Sequence, residues 1–293
     1  VFAYRSIQNL TLANVTILGV ASGLAALTRA AFVGFFPLLL LVVGWMRWKE
    51  GKRNIGYLIV AGVIYCLVLL PWTVRNFDIH GTLVPVSSWG GNFLLIGNNP
   101  FATGTWSVND GFEAWHKNKA NEHGVSDIST LSEIERGSLN RDIALEYILS
   151  NPLHALQLAA KKAFIFWIYP ITNSDSNVPL QAVAVASDFA LLIPAAIGFV
   201  ASWDKRRRLL PVYMAALFFF VMQLVLHAEA RYRLPIVPLL CLLFGFGSAI
   251  VADPKKLKAF LDVRRQRLMC VASVASVVLV YLFTGWLFLQ GSI

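Results

Sequence analysis

A short polar turn between two apolar runs concentrates side chains that can do chemistry. The turn is HAEARYR (227–233), with one imidazole, one carboxylate and two guanidinium groups. Arginine suits phosphate because its planar fork donates paired, charge-assisted hydrogen bonds. Arg231, Tyr232 and Arg233 are therefore predicted to contact a phosphate or another anionic group. A salt bridge from Glu229 to a neighbouring arginine is expected to offset part of the repulsion between the cations.

His227 and Glu229 also raise the alternative of a metal site, since imidazole and carboxylate both bind divalent cations. Their i, i+2 spacing does not place them on one helix face, so a structural salt bridge is the preferred interpretation. The three cysteines lie in apolar runs, without a CxxC or Cys/His metal spacing. The sequence predicts no metal site, and it leaves open whether a divalent metal assists.

Three further cations stand beside points where apolar runs meet polar sequence: Arg75, Lys161 and Lys162. Charge at the centre of a membrane helix costs about 2.5–3.5 kcal/mol, so function is the first hypothesis where such groups persist. One hypothesis covers these three and the two arginines of the turn, namely that all five surround an anionic headgroup. The alternatives are that Arg75 snorkels and that the lysines touch bulk lipid phosphates. Asn76 is expected to fix the turn after Arg75.

Composition places these side chains in an integral membrane protein. The 293 residues are 57% hydrophobic and 14% charged, with a mean hydropathy of +0.63, whereas soluble domains carry about 25% charged residues. An all-α membrane protein with about seven transmembrane helices is the expected fold class. Seven apolar runs meet the length of roughly 17–25 residues that spans a bilayer, and they lie at 11–28, 30–46, 55–72, 180–201, 209–227, 234–252 and 268–289.

Three of these runs leave alternatives open. The first two are separated only by a short connection at Arg29, so they form either two tight spans or one broken helix. Asp188 falls inside the fourth run, where it is either a functional carboxylate within the membrane or a residue near the outer interface.

Three short basic loops predict the orientation. RWKEGKRN (47–54), DKRRR (204–208) and DPKKLKAFLDVRRQR (253–267) are rich in Lys and Arg, which is typical of cytoplasmic loops. The seven runs place all three loops on one side of the inner (plasma) membrane. Residues 73–178 and the 227–233 turn are then expected on the outer face. This bias accounts for the net charge of +9, so membrane lipid rather than nucleic acid is the expected partner.

The predicted organisation has three regions, with spans in 1–72, an outer-face segment in 73–178 and four spans in 179–293. Within the outer-face segment, 77–110 is rich in Gly, Asn, Ser and Pro, which predicts irregular turns with short extended pieces. Two helices are predicted after these turns.

Local signals define those two helices. Thr130 and Glu133 have the spacing of a capping box at the start of the first helix. Asn151 and Pro152 separate it from the second, an interfacial helix over 152–170 that is strongly apolar yet carries two lysines.

Four segments of the sequence resemble one group of membrane enzymes. GLAALTRAAFVGFFPLLLL (23–41) resembles a span that ends in Leu-Thr-Arg, although Ala30 stands where Pro is usual. The other three are LLPWTVRNFDIHGTLVPVSSWGGNFLLIGNNPFATGTW (69–106), IALEYILSNPLHALQLAAKKAFIFW (143–167) and HAEARYRLPIVPLL (227–240). In this order they resemble bacterial family-39-type glycosyltransferases of the GT-C superfamily, which include protein mannosyltransferases and lipid A aminoarabinose transferases.

The resemblance implies an enzyme that transfers a sugar from a polyprenyl-phosphate carrier to a glycan, lipid or protein acceptor on the outer face. In the family, a carboxylate in the first outer loop is the base, and basic residues stabilise the leaving phosphate. No carboxylate of this chain matches that base, so we expect a C-terminal portion that is inactive alone. By this resemblance, Arg231, Tyr232 and Arg233 are the first candidates for phosphate contact, followed by Arg75, Lys162 and Lys161.

Two functions from other classes compete with this hypothesis. A transporter of lipid-linked glycans would show internal repeats and polar groups deep in broken helices, and the sequence has neither pattern apart from Asp188 and Gln223. A non-catalytic membrane scaffold is the other alternative, and it becomes the leading one if the natural chain begins near Val1.

Overall fold

The computed structural model describes residues 9–51, 56–167, 178–203 and 206–289, and the regular structure within these ranges is helical. The 3₁₀ turns Ile128–Thr130 and Ala230–Arg233 accompany the α-helices. The helices are α1 (Leu12–Thr28), α2 (Phe32–Lys49), α3 (Gly56–His80), α4 (Gly90–Gly97), α5 (Asp110–Glu122), α6 (Glu133–Ser150), α7 (Pro152–Trp167), α8 (Val178–Ala201), α9 (Arg206–Val225), α10 (Val237–Val251), α11 (Pro254–Asp262) and α12 (Arg264–Leu289).

Several of these helices have the length and composition of membrane spans. Among the described residues, three helices are long and apolar enough to cross a membrane: Phe32–Lys49, Gly56–His80 and Arg264–Leu282. Helices α10 and α11 would together make a fourth span, despite a 99° bend between them. Shorter apolar helices occupy three of the other predicted runs, at Leu12–Thr28, Val185–Ala201 and Leu209–Val225. The all-helical class and the membrane character therefore agree with the sequence, while the total of seven spans stays a prediction.

Two hydrophobic cores hold the long helices together. In the first, α1, α2 and α3 bury residues such as Val15 and Phe36, and Phe36 stacks on Tyr65 with 4.4 Å between ring centroids. The second joins α7, α9 and α12 around Phe166 and Phe219. Phe32 belongs to the edge of both cores and lies 4.8 Å from Phe219, ring to ring. This contact fixes the start of α2 against α9.

The third long helix extends beyond the predicted membrane exit at residue 72. It continues past Pro71 to His80 because residues 73–80 contain no glycine or proline, and it ends at Gly81, which adopts φ +66° and donates its N–H to the carbonyl of Phe77 at 2.8 Å. Asn76 then ties the following loop to the helix, since its Nδ2 donates to the carbonyl of Val84 at 3.0 Å. This agrees with the turn-fixing role predicted for Asn76.

The segment predicted on the outer face is more helical than its sequence suggested. The prediction of irregular turns over 77–110 is wrong for α4, and the described part of the segment, up to Trp167, holds four helices rather than two. Glycine-rich α4 forms because Leu95 packs into a core with Leu139 and Ile143 of α6, and tertiary packing outweighs the low helix propensity of glycine. Helix α5 begins where the Asn109 side chain accepts a hydrogen bond from the N–H of Phe112.

The capping box of α6 lies two residues later than predicted. Ser132 and Glu135 form it, with Ser132 Oγ accepting from the Glu135 N–H and Glu135 Oε2 accepting from the Ser132 N–H. Thr130 instead ends a 3₁₀ turn, and Glu133 bonds to Ser88 of the preceding loop. The boundary between the two predicted helices is confirmed at 151–152, and 168–170 of the predicted interfacial helix lie outside the described residues.

Candidate functional site

The connection between α1 and α2 meets the turn after α9 at the ring of Tyr232. The guanidinium carbon of Arg29 lies 4.8 Å from the ring centroid, and that of Arg231 lies 5.5 Å from it. Burial lowers the pKa of Arg29, Tyr232 opposes this shift, and the charge of Arg231 lowers the pKa further. Two cations that face one ring repel each other, so a bound anion would stabilise the arrangement.

Glu229 orients Arg231 at the edge of this turn. The carboxylate Oε2 lies 2.5 Å from Arg231 Nε, and the arginine side chain is 68% exposed. The predicted salt bridge between Glu229 and an arginine is thus confirmed. Because exposed ion pairs contribute only about 0–1 kcal/mol to stability, the pair is better suited to aiming the guanidinium than to holding the fold.

His227 lies directly behind Tyr232 and is 1% exposed. Its Nε2 is 3.3 Å from the Tyr232 hydroxyl and 3.5 Å from Glu229 Oε1, while the rings of Phe93 and Trp106 cover it at 5.3 and 5.5 Å. Its Nδ1 is buried without a hydrogen-bond partner among the described residues. Burial outweighs the attraction of Glu229 and lowers the pKa of His227, so the imidazole is neutral near pH 7.

Lys162 is fully buried where α7 crosses α4 and α9. Its Nζ donates to Asn98 Oδ1 at 3.1 Å and to the carbonyl of Leu224 at 3.2 Å, and Asn98 Nδ2 donates to the carbonyl of Val225 at 2.7 Å. Such burial excludes the alternative that this lysine touches bulk lipid phosphates. Burial also lowers the pKa of Lys162 to about 8, which leaves a cation just behind His227.

The lowered pKa of Lys162 predicts a pH-dependent stability. Between pH 8 and about 10.5, the unfolded lysine holds a proton that the folded one has lost, so the free energy of unfolding rises with pH across this window. Below pH 8 both states are protonated and the burial penalty is complete. We expect the thermal midpoint of the wild type relative to Lys162→Met to rise from pH 8 to pH 10. A constant difference would contradict the burial of the charge.

Arg233 points away from Arg231 into a buried ion pair. Its Nη2 donates to Asp188 Oδ1 at 2.8 Å and its Nη1 donates to the carbonyl of Trp167 at 2.7 Å. The hydroxyl of Tyr281 donates to Asp188 Oδ2 at 2.8 Å. Asp188 therefore lies inside the protein, paired with a cation, instead of at an exposed interface. Arg233 anchors the turn to α7, α8 and α12.

The other predicted cations lie apart from the Tyr232 ring. Arg75 is exposed and stacks on Trp72 of its own helix, with 4.8 Å from its guanidinium carbon to the indole centroid. Lys161 is half-buried, and burial lowers its pKa. Its aliphatic stem and that of Lys162 both pass close to Gly104. The contacts thus place Lys161 beside the site and leave Arg75 on the helix that leads away from it.

The backbone of α4 is in direct contact with the backbone at Leu226 and His227. A Cβ on Gly97 would lie 1.9 Å from the carbonyl oxygen of Leu226, whereas a Cβ on Gly90 of the same helix would have open space. We expect Gly97→Ala to lower the free energy of unfolding by about 1–3 kcal/mol because backbone atoms must move apart.

Gly90→Ala is the matched control for this prediction. It is expected to be neutral or stabilising by up to about 1 kcal/mol, since alanine favours the helix. Chemical unfolding in detergent, followed by intrinsic tryptophan fluorescence, measures both variants. Equal stability of the two would show that α4 does not press on the 226–227 backbone.

Across the described ranges, no three His, Cys, Asp or Glu side chains lie close enough together to hold a metal ion.

Comparison with protein-family models, curated proteins and solved structures found no match for the chain.

The four segments quoted above for their resemblance converge on this site. They contribute Arg29, Asn98, Lys162 and the 227–233 turn, respectively. Sequence reasoning had not selected Arg29 or Asn98, because one stands between two apolar runs and the other in a turn motif. Arg29 carried a usable signal, since it is a charged residue between two runs that are otherwise uncharged.

Proposed function

We propose that this chain forms the carrier-binding part of a membrane glycosyltransferase, which transfers a sugar from a polyprenyl-phosphate carrier to an acceptor on the outer face of the membrane. The observation that carries the proposal is the pair of guanidinium groups, Arg29 and Arg231, that face the ring of Tyr232. A phosphate within reach of both would offset the repulsion that the charge of Arg231 exerts on Arg29, and a guanidinium can donate paired hydrogen bonds to it.

The surroundings of the pair suit a leaving phosphate. When the glycosidic bond breaks, negative charge grows on the phosphate, and cations fixed beforehand lower the barrier most. Arg231 is oriented by Glu229, and Lys162 adds a positive charge held by two hydrogen bonds. Arg233 is already paired with Asp188, so we assign it to positioning the turn instead of binding phosphate. No residue of this chain is assigned as the base.

Lys162 gives the proposal a pH signature. Its ammonium is charged below a pKa of about 8 and neutral above it. Transfer is therefore expected to decline as the pH rises through 8, in the direction opposite to the stability change. In Lys162→Met the rate should be low, and this alkaline step should be absent.

Reconstituted vesicles provide the direct test. The protein, together with any coding sequence upstream of Val1, is supplied with a radiolabelled polyprenyl-phosphate sugar and a cell-envelope acceptor fraction. Label that reaches the acceptor supports the proposal. Label that crosses the bilayer while still attached to its carrier indicates a transporter. Carrier that neither binds, moves nor reacts indicates a scaffold, and both of these results contradict a transferase.

A further inference from the structure

A cavity of about 580 Å³ lies at the end of the helix bundle opposite to Tyr232. It opens between the last turn of α2 and the facing ends of α8 and α9, and its wall includes Trp45, Lys49, Trp203 and Tyr213. Helix α2 starts beside Arg29 and has 18 residues, so at 1.5 Å per residue its far end is about 27 Å away. That distance approaches the hydrocarbon thickness of a bilayer.

The lining of this cavity suits an amphiphile. Phe199 and Leu210 supply apolar surface, and tryptophan and tyrosine at the rim are typical of the depth of lipid headgroups. Lys49 is held at the rim because its Nζ stacks over the indole of Trp45, 4.4 Å from the ring centroid. An acyl chain can therefore lie against the apolar part while the headgroup meets a positioned ammonium.

Charge near this end of the protein favours an anion. Among the lining residues, Glu50 contributes one carboxylate and Lys49 one ammonium. Further exposed cations follow on α11 and the start of α12: Lys255, Lys256, Lys258, Arg264, Arg265 and Arg267. Basic pockets between membrane helices on the cytoplasmic side are suited to anionic lipid headgroups.

Helix α11 packs against the wall of the cavity. The chain bends by 99° between α10 and α11, where the Asp253 side chain accepts hydrogen bonds from the N–H groups of Lys255 and Lys256. The buried Phe260 of α11 shares a hydrophobic core with Val200, against which Phe199 of the cavity wall also packs. The exposed lysines are thus carried by a helix that contacts this wall.

We propose that this cavity binds the headgroup of an anionic phospholipid from the leaflet at this end of the protein. Lys49 contacts the lipid phosphate, and Trp45 with Tyr213 border the glycerol and the first acyl carbons. The site is about one membrane thickness from Tyr232, so it is independent of the proposed sugar transfer.

Native mass spectrometry of the detergent-purified protein tests the site, with phosphatidylglycerol and phosphatidylcholine as probes. Phosphatidylglycerol should bind more tightly than phosphatidylcholine. Lys49→Gln is expected to lower the affinity for phosphatidylglycerol about fivefold, the effect of one lysine near an anionic membrane surface. Lys49→Arg should keep most of the affinity. Lys117→Gln removes an exposed lysine of α5 and should change nothing.

Two results would overturn the proposal. One is equal affinity for the two lipids, and the other is an equal loss in Lys49→Gln and Lys117→Gln. A second measurement uses only the wild-type protein. The protein is irradiated with a photoreactive phosphatidylglycerol, and the labelled peptides are mapped. Label in 45–50 and 209–213 supports the site, and label confined to other peptides contradicts it.

Discussion

Replacing Arg233 by alanine is expected to lower the free energy of unfolding by about 3–5 kcal/mol, the usual loss when one partner of a buried ion pair is removed. Both side chains of the Arg233–Asp188 pair are 9% exposed. In Arg233→Ala, the carboxylate of Asp188 would keep only the Tyr281 hydroxyl as a described donor and would lose its counter-charge. The carbonyl of Trp167 would also lose one of its two donors.

A double variant distinguishes the loss of the ion pair itself from the cost of leaving the Asp188 carboxylate buried without a counter-charge. In Arg233→Met with Asp188→Leu, neither charge is left buried, and such apolar replacements are often neutral or stabilising by 1–4 kcal/mol. We expect the double variant to be more stable than Arg233→Ala. Chemical unfolding in detergent gives both values. A double variant as unstable as the single one would mean that the geometry, and not the uncompensated carboxylate, accounts for the loss.

Replacing Arg231 by alanine is expected to leave the fold intact and to lower sugar transfer by about 10²-fold, the loss typical of one donor that stabilises developing negative charge. The residue is 68% exposed, and substitutions at such positions usually change stability by less than about 0.5 kcal/mol. The expected fall is in kcat, because the charge on the phosphate grows during the reaction. Arg231→Lys should recover only part of it, since an ammonium lacks the paired donors of a guanidinium.

Arg141 provides a matched control for Arg231. It is also an exposed arginine, with 2.9 Å between its Nη2 and a carboxylate oxygen of its neighbour Asp142. Arg141→Ala is expected to transfer sugar at the wild-type rate. Initial rates across a range of carrier concentrations separate kcat from KM for both variants. Equal rates in Arg231→Ala and the wild type would remove the central residue of the proposed site, whereas an equal fall in both variants would indicate a general surface-charge effect.

The long apolar helices were predictable because their signal is strong and local. A run of apolar residues specifies a helix in lipid whatever its neighbours do, since the backbone must satisfy its own hydrogen bonds. Helix α4 was not predictable, because its glycines argue against a helix and only packing against Leu139 and Ile143 supports it. The capping box was predicted two residues too early because Thr130 with Glu133 and Ser132 with Glu135 have the same spacing.

The site was predictable in its residue types but not in its pairings. The turn with Arg231, Tyr232 and Arg233 was selected from charge alone. Which arginine would face outward depends on Asp188, 45 residues away in the chain, and a pattern within the turn cannot carry that information. Arg29 was missed for the same reason, because its importance comes from the ring of Tyr232 above which it lies. Family membership stays a prediction based on the four segments.

The buried pair between Asp188 and Arg233 has a consequence for how the protein is made. If α8 enters the bilayer on its own, its aspartate costs roughly 2.5–3.5 kcal/mol at the helix centre. The arginine that neutralises it is 45 residues later in the chain, so at about 5–20 residues per second it is synthesised roughly 2–9 s later. We therefore expect α8 to reach its final stability only after the turn has been made, so that the helix and the turn settle together as a late step.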